Sequence, residues 1–199
     1  MSAPPVVAVT VSESTHACVE FARARLEAAG YAVRVFDADG VGFERLVRAG
    51  HAAGVLDLTT GDLTAGTAGA SDRLTAASLA GVPQVISLGG LDGTGTRRTT
   101  PEECDRLGQE IAMKACAARG PTALVVPLRG LSALDTEGGP HWHPEANATL
   151  FQSLRNWVYG VELIELDLHV TDPEFGIACA ETLLRLLRVT NVSQSVPGP

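Results

Sequence analysis

Val55-Leu-Asp-Leu-Thr-Thr60, Val125-Val-Pro-Leu-Arg-Gly130 and Leu163-Ile-Glu-Leu-Asp-Leu-His169 are apolar runs that each finish in polar residues. Near-continuous apolar strands belong to a parallel sheet covered on both faces. No hydrophobic core requires the polar ends. In an open parallel sheet, ligands bind just beyond the carboxyl ends of the strands. The three ends are therefore expected to converge on one crevice.

The same rhythm of apolar run, turn and amphipathic segment extends along the chain. The strands are read at Val6–Val11, Ala32–Phe36, Ala53–Leu58, Gln84–Leu88, Ala123–Leu128 and Val161–Val170. Helices are read at about Thr15–Ala29, Phe43–Ala49, Asp72–Ala80, Thr100–Ala118, Pro144–Trp157 and Pro173–Arg188. Gly30 is a helix stop. Thr100-Pro-Glu-Glu103 is a helix start: a threonine cap, proline in the first turn and acids at the positive end of the dipole. Gly89–Thr100 reads as a loop by composition. Strands alternating with helices predict a three-layer, doubly wound α/β fold, flavodoxin-like or Rossmann-like, with about six parallel strands. Residues 1–188 form one domain in this reading, and 189–199 a flexible tail.

The 199 residues suit one ordinary domain, and 45% hydrophobic content excludes wholesale disorder. A net charge of -8 argues against nucleic acid and anionic membrane as partners. Cys18, Cys104, Cys116 and Cys179 form no C-x-x-C pair and read as reduced thiols. The start Met-Ser-Ala-Pro-Pro has no leader pattern, and no apolar stretch reaches the roughly 18 residues a membrane span needs. The expected location is the cytoplasm.

Candidate site residues cluster at the strand ends. Ser12 and Thr15, after the first strand, present hydroxyls to an anion or cap the helix that follows. Asp57, Thr59 and Thr60 follow the third, in a stretch where Gly61, Gly66 and Gly69 let backbone approach a ligand. Neither a G-x-G-x-x-G nor a Walker lysine is present. Ser87 ends the fourth strand. Arg129 ends the fifth and needs an oxyanion partner: Asp135, Asp167, or a substrate carboxylate or phosphate. Ser132 shapes the turn beyond it. Asp167 and His169 stand two apart on a strand, so the carboxylate is expected to orient the imidazole for acid–base work. His141, His143 and His169 are the alternative, a divalent metal set. The reading without metal takes Asp57, Asp167 and His169 as catalytic and Ser12, Thr15, Thr59, Thr60, Ser87, Arg129 and Ser132 as substrate-binding.

At these residues the chain resembles the tomato mosaic virus resistance protein-like family, a Tm-type group of ATP-binding or uncharacterised proteins. The matching stretches are Gly54–Thr60, Asp72-Arg-Leu74, Gly81–Val85, Arg98–Glu103, Pro127–Asp135, Gly138-Gly-Pro140, and Val161–His169 through Asp172-Pro-Glu-Phe175. The resemblance covers residues 5–188 and only the second of the two α/β domains it implies. The linker Gly89–Arg98 is shorter than the family's, and His141-Trp-His143 departs from its pattern. Nucleotide binding attaches more naturally to the first domain, so ATP is not expected here. The plant member, which binds a viral replication protein, implies protein interaction as a further reading.

The reading of the residues favours an enzyme of hydrolase, lyase or isomerase type. Its substrate is a carboxylated or phosphorylated metabolite, and no cofactor is required. The alternative is a non-catalytic nucleotide- or metabolite-binding module, or an interaction subunit. Expected partners are a small-molecule substrate and either further copies of the chain or a separate partner domain.

Overall fold

A computed structural model describes residues 3–37, 41–65, 73–94 and 96–194. Six strands form one parallel sheet: β1 (Val6–Val11), β2 (Ala32–Asp37), β3 (Gly54–Thr59), β4 (Gln84–Gly89), β7 (Thr122–Pro127) and β8 (Glu162–Leu166). A short antiparallel hairpin, β5 (Gly93–Thr94) with β6 (Arg97–Arg98), lies in the stretch read as loop. The helices are α1 (His16–Ala28), α2 (Val41–Arg48), α3 (Ala76–Ala80), α4 (Pro101–Cys116), α5 (Pro144–Trp157) and α6 (Pro173–Gln194). The sheet order is β2-β1-β3-β4-β7-β8. This is the flavodoxin-like order with one further strand at the edge, and it reverses direction between β1 and β3.

Alternation of side chains along each strand sorts the core into two layers. Val7, Val9, Leu56, Leu58, Val85 and Val125 pack against α1 and α6. On the other face Ile86, Leu88, Leu124 and Val126 pack against α4 and α5, while Ala8 and Val55 meet α2 and α3. At 25 cal/mol per Å² each fully buried leucine or valine contributes roughly 1.5–3 kcal/mol. Two glycines set helix spacing: a Cβ at Gly176 of α6 would lie 2.1 Å from the Cys18 carbonyl of α1, and one at Gly108 of α4 would lie 2.7 Å from Ser153 of α5.

Several boundaries differ from the sequence reading. β8 stops at Leu166 instead of reaching Val170, because the Leu168 amide turns back to the Leu166 carbonyl at 2.7 Å. Such tight three-residue turns are common at strand ends. α3 begins only at Ala76, and Gly66, Gly69 and Asp72 lie outside the described residues. α6 runs on to Gln194, so residues 189–194, read as flexible tail, are helical. All four cysteines are free, and burial pushes the Cys18 thiol up to about 12. Among the described residues no helix is long and apolar enough to cross a membrane.

Candidate functional site

The crevice between β1 and β3, where such sheets usually bind ligands, is filled by its own hydroxyls. The Thr15 and Thr59 hydroxyls meet at 2.7 Å, and Thr15 also accepts from the Ser12 amide at 2.9 Å. Thr60 donates to the Ser87 carbonyl at 2.9 Å. Backbone closes the rest. A Cβ at Gly89 would meet the Leu58 carbonyl at 2.4 Å, and one at Gly61 the Gly90 carbonyl at 2.7 Å. Ser12, Thr15, Thr59, Thr60 and Ser87 thus come together, and the Thr15, Thr59 and Thr60 hydroxyls join neighbouring segments to each other. The Ser87 hydroxyl is buried without a partner.

Asp57 does not reach the crevice. Leu56 and Leu58 face α1 and α6, so Asp57 between them faces α2 and α3. There it is 1% exposed and gripped by Arg73, with Nη1–Oδ2 at 2.6 Å and Nη2–Oδ1 at 3.0 Å. The Thr10 hydroxyl donates to it at 2.7 Å. Arg73 also donates to Asp62 at 2.6 Å and to the Thr59 carbonyl at 2.8 Å. Burial works against the Arg73 cation, but Asp57 and Asp62 outweigh it and hold the guanidinium charged. Glu44 receives the Leu74 and Ala76 amides, both at 3.1 Å. Burial raises the Glu44 and Asp62 carboxyls above their ordinary range. The Asp57 carboxylate, read as catalytic, is thus enclosed in a buried ion pair with Arg73.

A cleft of about 760 Å³ opens at the carboxyl ends of β7 and β8. Arg129, Trp142, Asn147, Phe151, His169 and Thr171 are among its lining residues. Arg129 is not buried, contrary to its reading as the end of a covered strand. It makes a two-point contact with Asp167, both bonds 2.8 Å, and the two side chains are 60% and 76% exposed. The hydrogen bond and charge of Arg129 lower the Asp167 carboxyl, and Asp167 raises the guanidinium in turn.

Asp167 does not orient His169, because the turn after Leu166 breaks the alternation on which that pairing depended. His169 Nδ1 instead accepts from the Thr171 amide at 3.2 Å and meets the Thr171 hydroxyl at 2.7 Å. That leaves the proton on Nε2, which donates to the Asp135 carbonyl at 3.3 Å. The ring lies directly on Gly130, where a Cβ would sit 2.4 Å from Nε2. Gly130 has φ +151°, a backbone that side chains rarely adopt.

Beneath the cleft six residues close a hydrogen-bonded ring through side chains and, at two links, backbone. Ser132 Oγ donates to Asp92 Oδ2 at 2.6 Å, and the same oxygen meets His141 Nδ1 at 2.6 Å. Arg98 Nε donates to the His141 carbonyl at 2.7 Å, and Arg98 Nη2 to Asn147 Oδ1 at 2.5 Å. Asn147 Nδ2 donates to Asp135 Oδ2 at 2.8 Å, and the Asp135 amide to the Ser132 carbonyl at 2.9 Å. Ser132 is therefore a ring member. The metal set is not assembled: His141 turns inward to Asp92, while His143 Nδ1 caps α5 by accepting the Ala146 amide at 3.2 Å. Among the described residues no three His, Cys, Asp or Glu side chains gather as metal ligands.

Sequence reasoning missed Arg73, Asp92, Arg98 and Asn147. Their signal was faint: an arginine near a helix start, an aspartate in a glycine-rich loop, an arginine just before the Thr100 cap, and an asparagine in the first turns of a helix.

Residues 4–97 and 94–187 match the C-terminal domain described as an uncharacterised protein family (UPF0261). A UPF0261 protein of Clostridium tetani is 35% identical, over 92% of this chain and 54% of that one. Another, from Rhizobium meliloti, is 34% identical, over 87% and 52%. The ToMV resistance protein Tm-1(GCR237) of Solanum lycopersicum is 31% identical, over 90% of this chain and 28% of that one. The chain spans about half the length of the bacterial relatives. Among solved structures, oxidised flavodoxin 2 from Bacillus cereus aligns over 93% of this chain and 99% of that one, at 12% identity and a TM-score of 0.37.

Proposed function

The chain belongs to the uncharacterised UPF0261 family, whose C-terminal domain it matches, and we propose that it binds a small carboxylated or phosphorylated metabolite in the cleft over β7 and β8. One observation carries this reading. Arg129 stands at the cleft, and among the described residues its guanidinium fork is engaged by an exposed carboxylate, that of Asp167. A ligand oxyanion offers the same two-point geometry. Exchanging one exposed partner for another changes little energy by itself, since exposed pairs are weak. Contacts with Trp142 and Phe151 then supply the net affinity, and Asn147 and Thr171 supply polar specificity.

Calorimetry with inorganic phosphate, succinate and acetyl phosphate tests it. At least one probe binds, and Arg129→Ala abolishes that binding while the fold remains. If no probe binds, or if binding survives the substitution, the reading fails.

Acid–base turnover of the same ligand, as a hydrolase, lyase or isomerase, is the second reading. It is favoured by His169 standing in the cleft wall. Turnover requires the Thr171 contact to open so that Nδ1 meets substrate. In that case His169→Asn lowers the rate roughly 10²–10⁴-fold, the usual span for a positioned proton carrier. A non-catalytic binding module, acting with further copies of the chain or with a separate partner domain, retains its affinity after the same change.

A further inference from the structure

The lining of the cleft over β7 and β8 comes from two sources of different character. One is α5 and the turn before it, which supply Trp142, Pro144, Ala148 and Phe151. Pro144, Ala148 and Phe151 are apolar and stand four and then three residues apart, so they share one stripe along the helix. At a rise of 1.5 Å per residue that stripe runs for about 10 Å. The other source is polar: Arg129 just beyond β7, with His169 and Thr171 in the segment after β8. Trp142 is 41% exposed, and among the described residues no second ring packs on it. At about 760 Å³ the cleft lies in the range that encloses a drug-sized ligand. A bare phosphate would meet Arg129 and leave both the stripe and the indole in water.

We propose, on the reading of Arg129 as an anion fork, that the cleft takes an aryl acid: a flat body of one or two fused rings with a carboxylate or phosphate at one end. The acid group meets Arg129, and the ring lies on Trp142 and along the stripe from Pro144 to Phe151. A stripe of that length suits one or two rings. Aromatic pairs gain from offset or edge-to-face contact beyond the apolar area they bury. A saturated ring of the same size buries comparable area without that gain, so the indole selects the flat ring. An alkyl chain long enough to cover the stripe would lose conformational freedom on binding that a rigid ring does not have.

Calorimetry on the full chain with acetate, cyclohexanecarboxylate and benzoate, and with inorganic and phenyl phosphate, tests it. Benzoate and phenyl phosphate bind roughly tenfold or more tighter than acetate and inorganic phosphate, and benzoate binds tighter than cyclohexanecarboxylate. Trp142→Ala removes most of the gain from the ring and leaves inorganic phosphate bound as before, whereas Arg129→Ala abolishes both. Should Trp142→Ala fail to fold, Ala148→Leu fills the stripe at an exposed position and has the same effect. In Trp157→Phe, Trp142 is the one remaining tryptophan, and its emission changes with benzoate and not with acetate. Acetate and phosphate held through Arg129 with no gain from the ring would overturn the aryl assignment and leave the anion reading standing. Cyclohexanecarboxylate bound as tightly as benzoate, or a ring gain that survives Trp142→Ala, would do the same. If none of the five binds, both fail.

Discussion

Arg73 grips Asp57 through both guanidinium nitrogens, at 2.6 and 3.0 Å, across 16 residues of chain. The Arg73 guanidinium also lies 5.6 Å from the centre of the Phe43 ring. The pair thus ties β3 to the segment entering α3 and to α2 in a single contact.

Removing one partner of such a buried pair leaves the other charge unmatched. Asp57→Ala is expected to destabilise the fold by about 3–5 kcal/mol, read from urea unfolding. A loss within about 0.5 kcal/mol would show that Arg73 finds sufficient compensation in Asp62 and Glu44.

Asp62 couples stability to pH. Burial raises its folded carboxyl above the ordinary 3.8, more than Arg73 lowers it. The folded state therefore binds protons more readily than the unfolded chain does. Its contribution to stability is fully present below 3.8 and is lost as pH rises through the raised folded value. In Asp62→Asn that dependence is absent. Urea unfolding at a series of pH values above 3.8 should show a flatter slope than the native chain. An unchanged slope would transfer the effect to Glu44, whose carboxyl burial also raises.

Asp167→Asn frees Arg129 without removing it. Both side chains are largely exposed, so the unfolding midpoint should stay close to that of the native chain. Affinity for the phosphate or carboxylate probe should instead rise roughly two- to fivefold, the span of a screened surface pair. Calorimetry on the variant reads this directly, and weaker binding would mean that Asp167 helps to hold the ligand.

Gly130→Ala places a methyl group 2.3 Å from the Asp135 carbonyl and 2.4 Å from His169 Nε2, on backbone that alanine resists. A destabilisation of more than about 1 kcal/mol is expected, with loss of probe binding as His169 is displaced. Normal stability with a normal His169 environment by NMR would contradict this geometry.

The sheet was legible because its central strands are buried on both faces, and the Thr100 cap because its chemistry is local: its hydroxyl accepts the Glu103 amide at 3.3 Å. The shared edge of Arg129 and His169 was also legible, since strand ends in this class of sheet lie along one edge, and both residues line the cleft. What failed depended on single-residue geometry. The Asp167–His169 pairing assumed two more residues of strand, and one backbone turn at Leu166–Leu168 undid it. The role of Asp57 depended on which face of β3 it occupied and on Arg73, a partner that no local pattern connects to it. Asp92, Arg98 and Asn147 come together only because the segment after β4 folds against the start of α5, and sequence spacing carries no record of that.

The ring joining Asp92, Arg98, Ser132, Asp135, His141 and Asn147 has a dynamic consequence. It spans the segment after β4, the segment after β7 and the start of α5. No one of these segments can open without breaking bonds held by the other two. Their amides should therefore exchange with solvent as one cooperative unit, at a shared opening free energy. A ligand entering the cleft meets a wall that yields as a single body or not at all.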